Sequence, residues 1–376
     1  KYWVTCTNPP YAGMSKMNGR LNAYIQNNYV EYKSDMFSVF IVKSSNMTLK
    51  NGFCAFLTPY VWMFIQSYEK MRQYLYTNST IETLIQFEYS AFEEATVPIC
   101  TFAFRNSHVS KNGCYIRLTS FNGGMEIQRQ KTLEAIANHE CGYYYERKSD
   151  DFTRIPGGPV AYWASKATFD AFTQRHLVDF YTIRNGISTG DNDRYLRLWF
   201  EVDRLLECWK PCNKGGTYRN WYGNNEYIVF WKNNGESIKT TLDDKGRVKA
   251  RLGGVEYSFS EGIEMSRITS GKPSFRFSKE GAVYESSTND IYKKKAGWGL
   301  EWILGYCNSK VAIYFLNLMN PTINIMPEDL RKLPCPIEQI EQVNILVKKN
   351  ISVSKSDWDS YETSWDFVSH PLMPPC

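Results

Sequence analysis

Within this 376-residue sequence, Asn8-Pro9-Pro10-Tyr11 is the stretch whose residue types and spacing are best suited to chemistry. The reaction such a corner fits is methylation of an exocyclic amine, such as the N6 amine of adenine. That nitrogen is a poor nucleophile because its lone pair is delocalised into the ring. Two acceptors set against its two N–H groups draw it towards sp3 geometry and free the lone pair. The Asn8 side-chain oxygen supplies one acceptor and a backbone carbonyl the other. Pro9 and Pro10 fix φ and donate no N–H, which keeps the corner stiff with its carbonyls exposed. Stiffness matters because methyl transfer needs its reacting atoms in line and within contact distance. Tyr11 offers a face on which a flipped base can stack, offsetting part of the cost of extrusion. The competing readings are a plain turn, or a proline-rich ligand for a WW-type domain.

The elements that must position this corner alternate between strand and helix. Residues 2–5 read as a strand, with the corner at its C-terminal end, where open α/β sheets place their ligands. Residues 35–47 carry Met36, Phe37, Phe40 and Ile41 at helical spacing. Gly52 breaks the chain, and 53–57 is a short buried strand. A helix over 68–75 and strands over 81–87 and 99–105 follow, the pattern of half a doubly wound fold. A helix is expected over 131–139, and Pro/Gly marks over 155–163 open a new unit. From 186 to 284 the chain is strand and turn, with Gly-Gly, Asn-Asn and Asn-Gly signals. Residues 302–318 read as one apolar helix, and 351–376 show no clear element.

Composition sets bounds. Hydrophobic residues are 43% and charged residues 22%, ordinary for a globular chain long enough for two domains. The 26 Tyr, 21 Phe and 11 Trp are a high aromatic content, which core packing accounts for in most positions and which also suits stacking on bases. A formal charge of +5 permits nucleic-acid binding where the cations cluster. Cys208 and Cys212 form an isolated C-x3-C with no second pair and no nearby His, so no metal site is expected. Scattered cysteines without a signal peptide fit a reducing cytoplasm, and no apolar run nears the roughly 18 residues of a membrane span.

The segments TNPPY, SDMFSVFI, GFCAFLTP, YEKMRQYL, IETLIQF and FEEATVPICTFAFR resemble the second half of the adenine-specific DNA methyltransferases. The later segments GISTGDNDRYLRLWFEV, NKGGTYRNWYGNNEYIVFW and LGYCNSKVAIYFLNLMNPTINIMPEDLRKLPCPI are similar, more specifically, to the methyltransferase of bacteriophage-exclusion (BREX) defence systems. The resemblance runs over about residues 1–370. It implies a partial Rossmann-like sheet dependent on S-adenosylmethionine, followed by a mixed α/β target-recognition domain. The units expected are 1–106 (C-terminal half of the catalytic domain), 107–150 (connector), 151–340 (DNA specificity) and 341–376 (tail).

On that resemblance, Asn8 and the Pro9 carbonyl hold the target amine, while Tyr11 stacks on the adenine. Phe92 is a second aromatic against the base, or an ordinary core phenylalanine. Asp35 and Phe37 touch the cofactor's edge, though Phe37 also reads as core. The Gly-rich loop and the ribose-binding acid of this family lie upstream of the corner, and only seven residues precede it here. The expectation is therefore a fragment that binds S-adenosylmethionine weakly and is inactive alone.

Two clusters could read duplex DNA. Asp191, Asn192, Asp193 and Arg194 follow a Gly-containing turn, and Lys214, Arg219, Asn220, Trp221, Tyr222, Asn224 and Asn225 crowd one stretch. Asn suits adenine edges and Arg guanine, while such clusters also serve as simple turns. Lys293-Lys294-Lys295 is a solvated face or a phosphate contact. The partners implied are double-stranded DNA and other defence-system proteins, with no membrane. The readings set against an enzyme of restriction–modification or phage defence are a non-catalytic DNA- or partner-binding module, and a fused nuclease for which no motif is found.

Overall fold

Aromatic and β-branched residues start the chain as strand β1 (Tyr2–Thr7), the edge of a sheet. The computed structural model describes residues 1–89, 97–203, 206–269, 271–294, 299–335 and 341–373. These part into one unit of Lys1–Thr173 with Leu318–Pro321, and a second of Gln174–Asn317 with Thr322–Cys376.

In the first unit six described strands form one mixed sheet, in the order β1-β2-β4-β3-β5-β6. β2 (Thr48–Pro59) runs parallel to β1, and β4 (Ile99–Arg105) lies antiparallel between β2 and β3 (Thr80–Gln86). Helices α1 (Gly19–Asn28), α2 (Met36–Met47) and α3 (Glu69–Asn78) fall between the strands. The core is aromatic: the Phe56 ring stacks on Phe102 and Phe104 at 5.5 and 5.9 Å.

Gly52 does not break the chain into separate elements. β2 passes through it with a bulge, where pairing shifts from Tyr2↔Thr48 to Val4↔Phe53. A Cβ on Gly52 would lie 2.6 Å from the Trp3 carbonyl oxygen, so only glycine lets β1 approach here. Asn106 holds the same corner: its Nδ2 donates to the Ser45 and Thr48 carbonyls, both at 3.0 Å, and its Oδ1 accepts from Ser45 Oγ at 2.7 Å.

The stretch expected as a connector builds structure instead. β5 (Asn112–Arg117) pairs parallel with β3, α4 (Gly124–Ala137) starts earlier than its spacing suggests, and β6 (Tyr144–Lys148) closes the sheet. Burial of Tyr115, Ile116 and Leu118 ties this segment to the first unit, which continues to Thr173 and so takes in the expected connector over 107–150 and the first residues of the expected recognition domain.

Among its described residues the second unit holds two four-stranded sheets. One has the order β13-β9-β10-β8, from β8 (Leu196–Leu198), β9 (Trp209–Asn213), β10 (Tyr227–Phe230) and β13 (Val283–Tyr284). The other has the order β12-β11-β14-β7, from β7 (Tyr181–Asn185), β11 (Gly262–Ser266), β12 (Phe275–Ser278) and β14 (Thr288–Lys293). Tyr195, Leu196, Cys212, Val229, Trp231 and Val283 share one buried core.

The apolar run expected as one helix is two, Leu300–Cys307 and Lys310–Met319. At the break, Asn308 turns its amide onto β12, accepting from the Phe275 N–H and donating to the Phe275 carbonyl, both at 3.0 Å. The segment expected as a tail contains the helix Glu341–Trp358, which packs on Leu300–Cys307. A Cβ on Gly305 would lie 2.8 Å from Val347 Cγ2, so glycine allows that approach. No described helix is long and apolar enough to cross a membrane.

Candidate active site and nucleic-acid interface

β1 ends at Thr7, and Asn8-Pro9-Pro10-Tyr11 follow directly at its C-terminal end. Asn8 and Pro10 are exposed, Pro9 is buried and Tyr11 is half-buried. The corner is thus anchored through one proline while the Asn8 amide remains accessible. The Tyr11 hydroxyl lies within donating distance of two acceptors, Asn8 Oδ1 at 2.9 Å and the Leu57 carbonyl at 3.2 Å. It has one proton to give. Burial, reinforced by the neighbouring Cys100, pushes the Tyr11 phenol above its ordinary pKa, so the hydroxyl stays a donor at neutral pH.

Asp35 locks the far side of the corner. Its Oδ1 accepts from the Ala12 N–H at 3.0 Å and from the Phe37 N–H at 3.2 Å, while the Met36 N–H donates to the Ala12 carbonyl at 3.0 Å. Asp35 is therefore both the N-cap of α2 and the brace of the loop. An Asp just before an apolar helical run signals the first role in sequence. The second arises from a contact 23 residues away and leaves no local trace. Burial raises the Asp35 carboxyl, against the pull of its backbone N–H donors.

Phe37, 1% exposed, sits edge-on to Tyr11 with ring centroids 6.5 Å apart, and packs against Tyr68 at 5.2 Å. It fixes the tilt of the Tyr11 ring. In this arrangement Asp35 and Phe37 serve the loop and the core. Phe92 lies outside the described residues.

The residues considered for DNA reading divide by what holds them. Asn192 and Arg194 are exposed on a short helix capped by Asp191; Asn192 Oδ1 accepts from Thr189, and the Arg194 guanidinium lies 5.2 Å over the Tyr195 ring. Lys214 Nζ is 4.4 Å from the Tyr227 ring centroid. Arg219 is committed inward: it pairs with Asp357, donates to the Tyr222 carbonyl at 3.0 Å and lies over the Trp358 ring. Tyr222 and Asn224 are buried, and Asn224 ties the loop by donating to the Thr217 carbonyl at 2.9 Å. Trp221 has φ 74° and donates its N–H to the Phe275 carbonyl. Asn225 lines a cavity of about 140 Å³ with Tyr227 and Trp365. Lys294 donates to the Val178 carbonyl, Lys293 is exposed and Lys295 lies outside the described residues. The cluster from 214 to 225 is thus mostly a braced loop. The side chains it leaves outward are Thr217 and Tyr218, which the sequence did not single out.

Comparison with known proteins gives a consistent picture. Residues 1–92 match the Eco57I restriction-modification methylase family. Over 393 residues the chain is 32% identical to the adenine-specific methyltransferase PglX of Lacticaseibacillus casei (strain Zhang), covering 99% of this chain and 32% of the relative. It is 29% identical over 386 residues to the adenine-specific methyltransferase BrxX of Escherichia coli O9:H4 (strain HS), covering 99% and 31%. The chain spans about a third of the length of these curated relatives. In fold it resembles the Type IIL restriction-modification enzyme MmeI, solved in complex with DNA, at a TM-score of 0.57 and 12% identity over 97% of this chain and 50% of that one. It also resembles the protein of the DrdV–DNA complex, at a TM-score of 0.50 and 10% identity over 93% and 44%.

Proposed function

We propose that this chain, related from end to end to adenine-specific methyltransferases, carries the base-gripping corner and the DNA-reading unit of an enzyme that methylates adenine N6 in duplex DNA. The observation that carries the reading is the corner itself. An accessible Asn8 oxygen stands at a strand's C-terminal end, beside a Tyr11 ring held by Phe37 and braced through Asp35.

Asn8 accepts one N–H of the extruded amine, the Pro9 carbonyl accepts the other, and the nitrogen's lone pair becomes available. Tyr11 stacks on the base and moves its hydroxyl proton from Asn8 to the Leu57 carbonyl as the amine arrives. S-adenosylmethionine is the methyl donor this family implies. Of the residues considered for its edge, Asp35 spends Oδ1 on two backbone N–H groups and keeps Oδ2 for a ligand, while Phe37 is buried. The biological setting we propose is the marking of host DNA in a restriction-modification or phage-defence system, a reading supported by the restriction-modification methylase family match.

The test is Asn8→Ala in the whole protein, followed by methyl incorporation into duplex DNA. The expected loss is about 100-fold or more, the size seen when a preorganised hydrogen-bonding group is removed from a reacting centre. Normal methylation by that variant would refute the assignment.

A further inference from the structure

The braced loop of the second unit and the turn before β12 together form an open groove of about 480 Å³. Its lining includes Tyr218, Ser266, Ile268, Thr269, Lys272 and Ser274, and none of its lining residues is acidic. What distinguishes it is the direction of its hydrogen bonds. The Tyr218 hydroxyl oxygen accepts from Asn220 Nδ2 at 3.2 Å, which leaves its proton to give. Ser274 Oγ accepts from the Arg219 N–H and from Arg276 Nη1, both at 3.4 Å, so its proton too is left over. Lys272 is exposed and has no acidic partner within ion-pair distance among the described residues. Of the remaining hydroxyls, Ser266 donates to the Gly216 carbonyl at 3.1 Å and Thr269 to the Lys272 carbonyl at 3.4 Å, while that of Thr217 lies on an exposed side chain at the rim. The groove therefore presents uncommitted donors beside two exposed apolar surfaces, Tyr218 at 59% and Ile268 at 67%.

We infer that this groove binds a phosphodiester of duplex DNA, with Lys272, Tyr218 and Ser274 as its donors. A phosphodiester carries acceptors only, and a lysine with two hydroxyls is a common way to hold one. The inference rests on the reading of the second unit as DNA-binding and adds the residues that do it. Arg219, the more obvious cation in sequence, serves a different purpose: its backbone N–H orients Ser274 while its guanidinium is held by Asp357.

The test is duplex binding by the chain, measured by fluorescence anisotropy across a salt series on several unrelated sequences. Lys272→Ala should weaken binding about five-fold and lower the slope of log K against log salt by about one. Tyr218→Phe and Ser274→Ala should weaken binding by smaller factors, equally on every sequence, with unchanged thermal melting for the exposed Lys272 and Tyr218 variants. Full affinity in the Lys272→Ala/Tyr218→Phe double variant, alongside normal duplex binding by the parent chain, would overturn the groove and leave the DNA reading standing. A loss confined to one sequence would overturn the phosphate assignment in favour of a base edge. No duplex binding by the parent chain would overturn the reading of the unit itself.

Discussion

The Tyr11 hydroxyl lies 2.9 Å from the Asn8 side-chain oxygen, so the acceptor an incoming amine needs is already engaged within the corner. The Leu57 carbonyl, 3.2 Å from the same hydroxyl, offers the proton an alternative seat. Ring and hydroxyl therefore have separable tasks. Tyr11→Phe keeps the stacking face and should hold methylation by the whole protein within about three-fold of the parent, whereas Tyr11→Ala should lose roughly 10- to 100-fold, the worth of one stacked base. Equal losses in the two variants would mean that the hydroxyl is the working part.

Asp35 should matter to the corner more than to the fold. Asp35→Ala removes the α2 cap and the Ala12 anchor together, and a cap of this kind is worth about 1 kcal/mol. Urea denaturation should report that modest loss, while the methylation rate falls further because the loop is released. Asp35→Asn keeps one oxygen acceptor and should recover most of both. A rate that only tracks stability would reduce Asp35 to an ordinary cap.

Across the second sheet of the second unit, Arg276, Glu264 and Asp290 stand opposite one another on three strands. Arg276 and Glu264 are fully buried and paired at 2.9 Å. Arg276→Met strands the Glu264 carboxylate and should cost about 3–5 kcal/mol. The joint replacement Arg276→Met/Glu264→Leu should restore much of it, because it removes both charges. A single-variant cost below 1 kcal/mol would show that water reaches the pair.

Neither Asp290 oxygen meets full hydrogen-bond geometry with a partner among the described residues, and burial, opposed by the nearby Thr288 hydroxyl and reinforced by the Glu264 and Glu285 carboxylates, pushes its carboxyl well above the ordinary 3.8. The folded chain thus keeps a proton that the unfolded chain surrenders. By linkage, the Asp290 contribution is fully present below 3.8 and is lost as pH rises from there towards the folded value. Asp290→Asn removes this dependence, so its stability relative to the parent should increase between pH 4 and pH 8. A difference that stays flat across that range would place an ionised carboxylate at 290.

Local patterns made the chemistry-bearing part legible. Asn8–Tyr11 is contiguous, and the strand at Ile99–Arg105 alternates buried and half-buried residues from Cys100 onward. Gly52 misled because a glycine that ends a strand and one that lets a neighbouring carbonyl approach look alike in sequence. The Asn/Gly/aromatic cluster around Arg219 is what tight turns require as much as what bases require, and the decisive partner, Asp357, lies 138 residues away. The helix Glu341–Trp358 was missed because Val347 and Trp358 are its buried residues, which leaves little apolar periodicity to detect.

β1 has one described neighbour in its sheet, whereas β4 is flanked on both sides. Tyr2, Trp3 and Val4 are each more than half exposed. In this chain the corner follows a strand paired on one described side, and the prolines and the Asp35 brace restrain it. Deuterium uptake of this chain should accordingly be fast along Tyr2–Thr7 and slow along Ile99–Arg105, with the Ala12 amide protected well beyond the strand that leads to it.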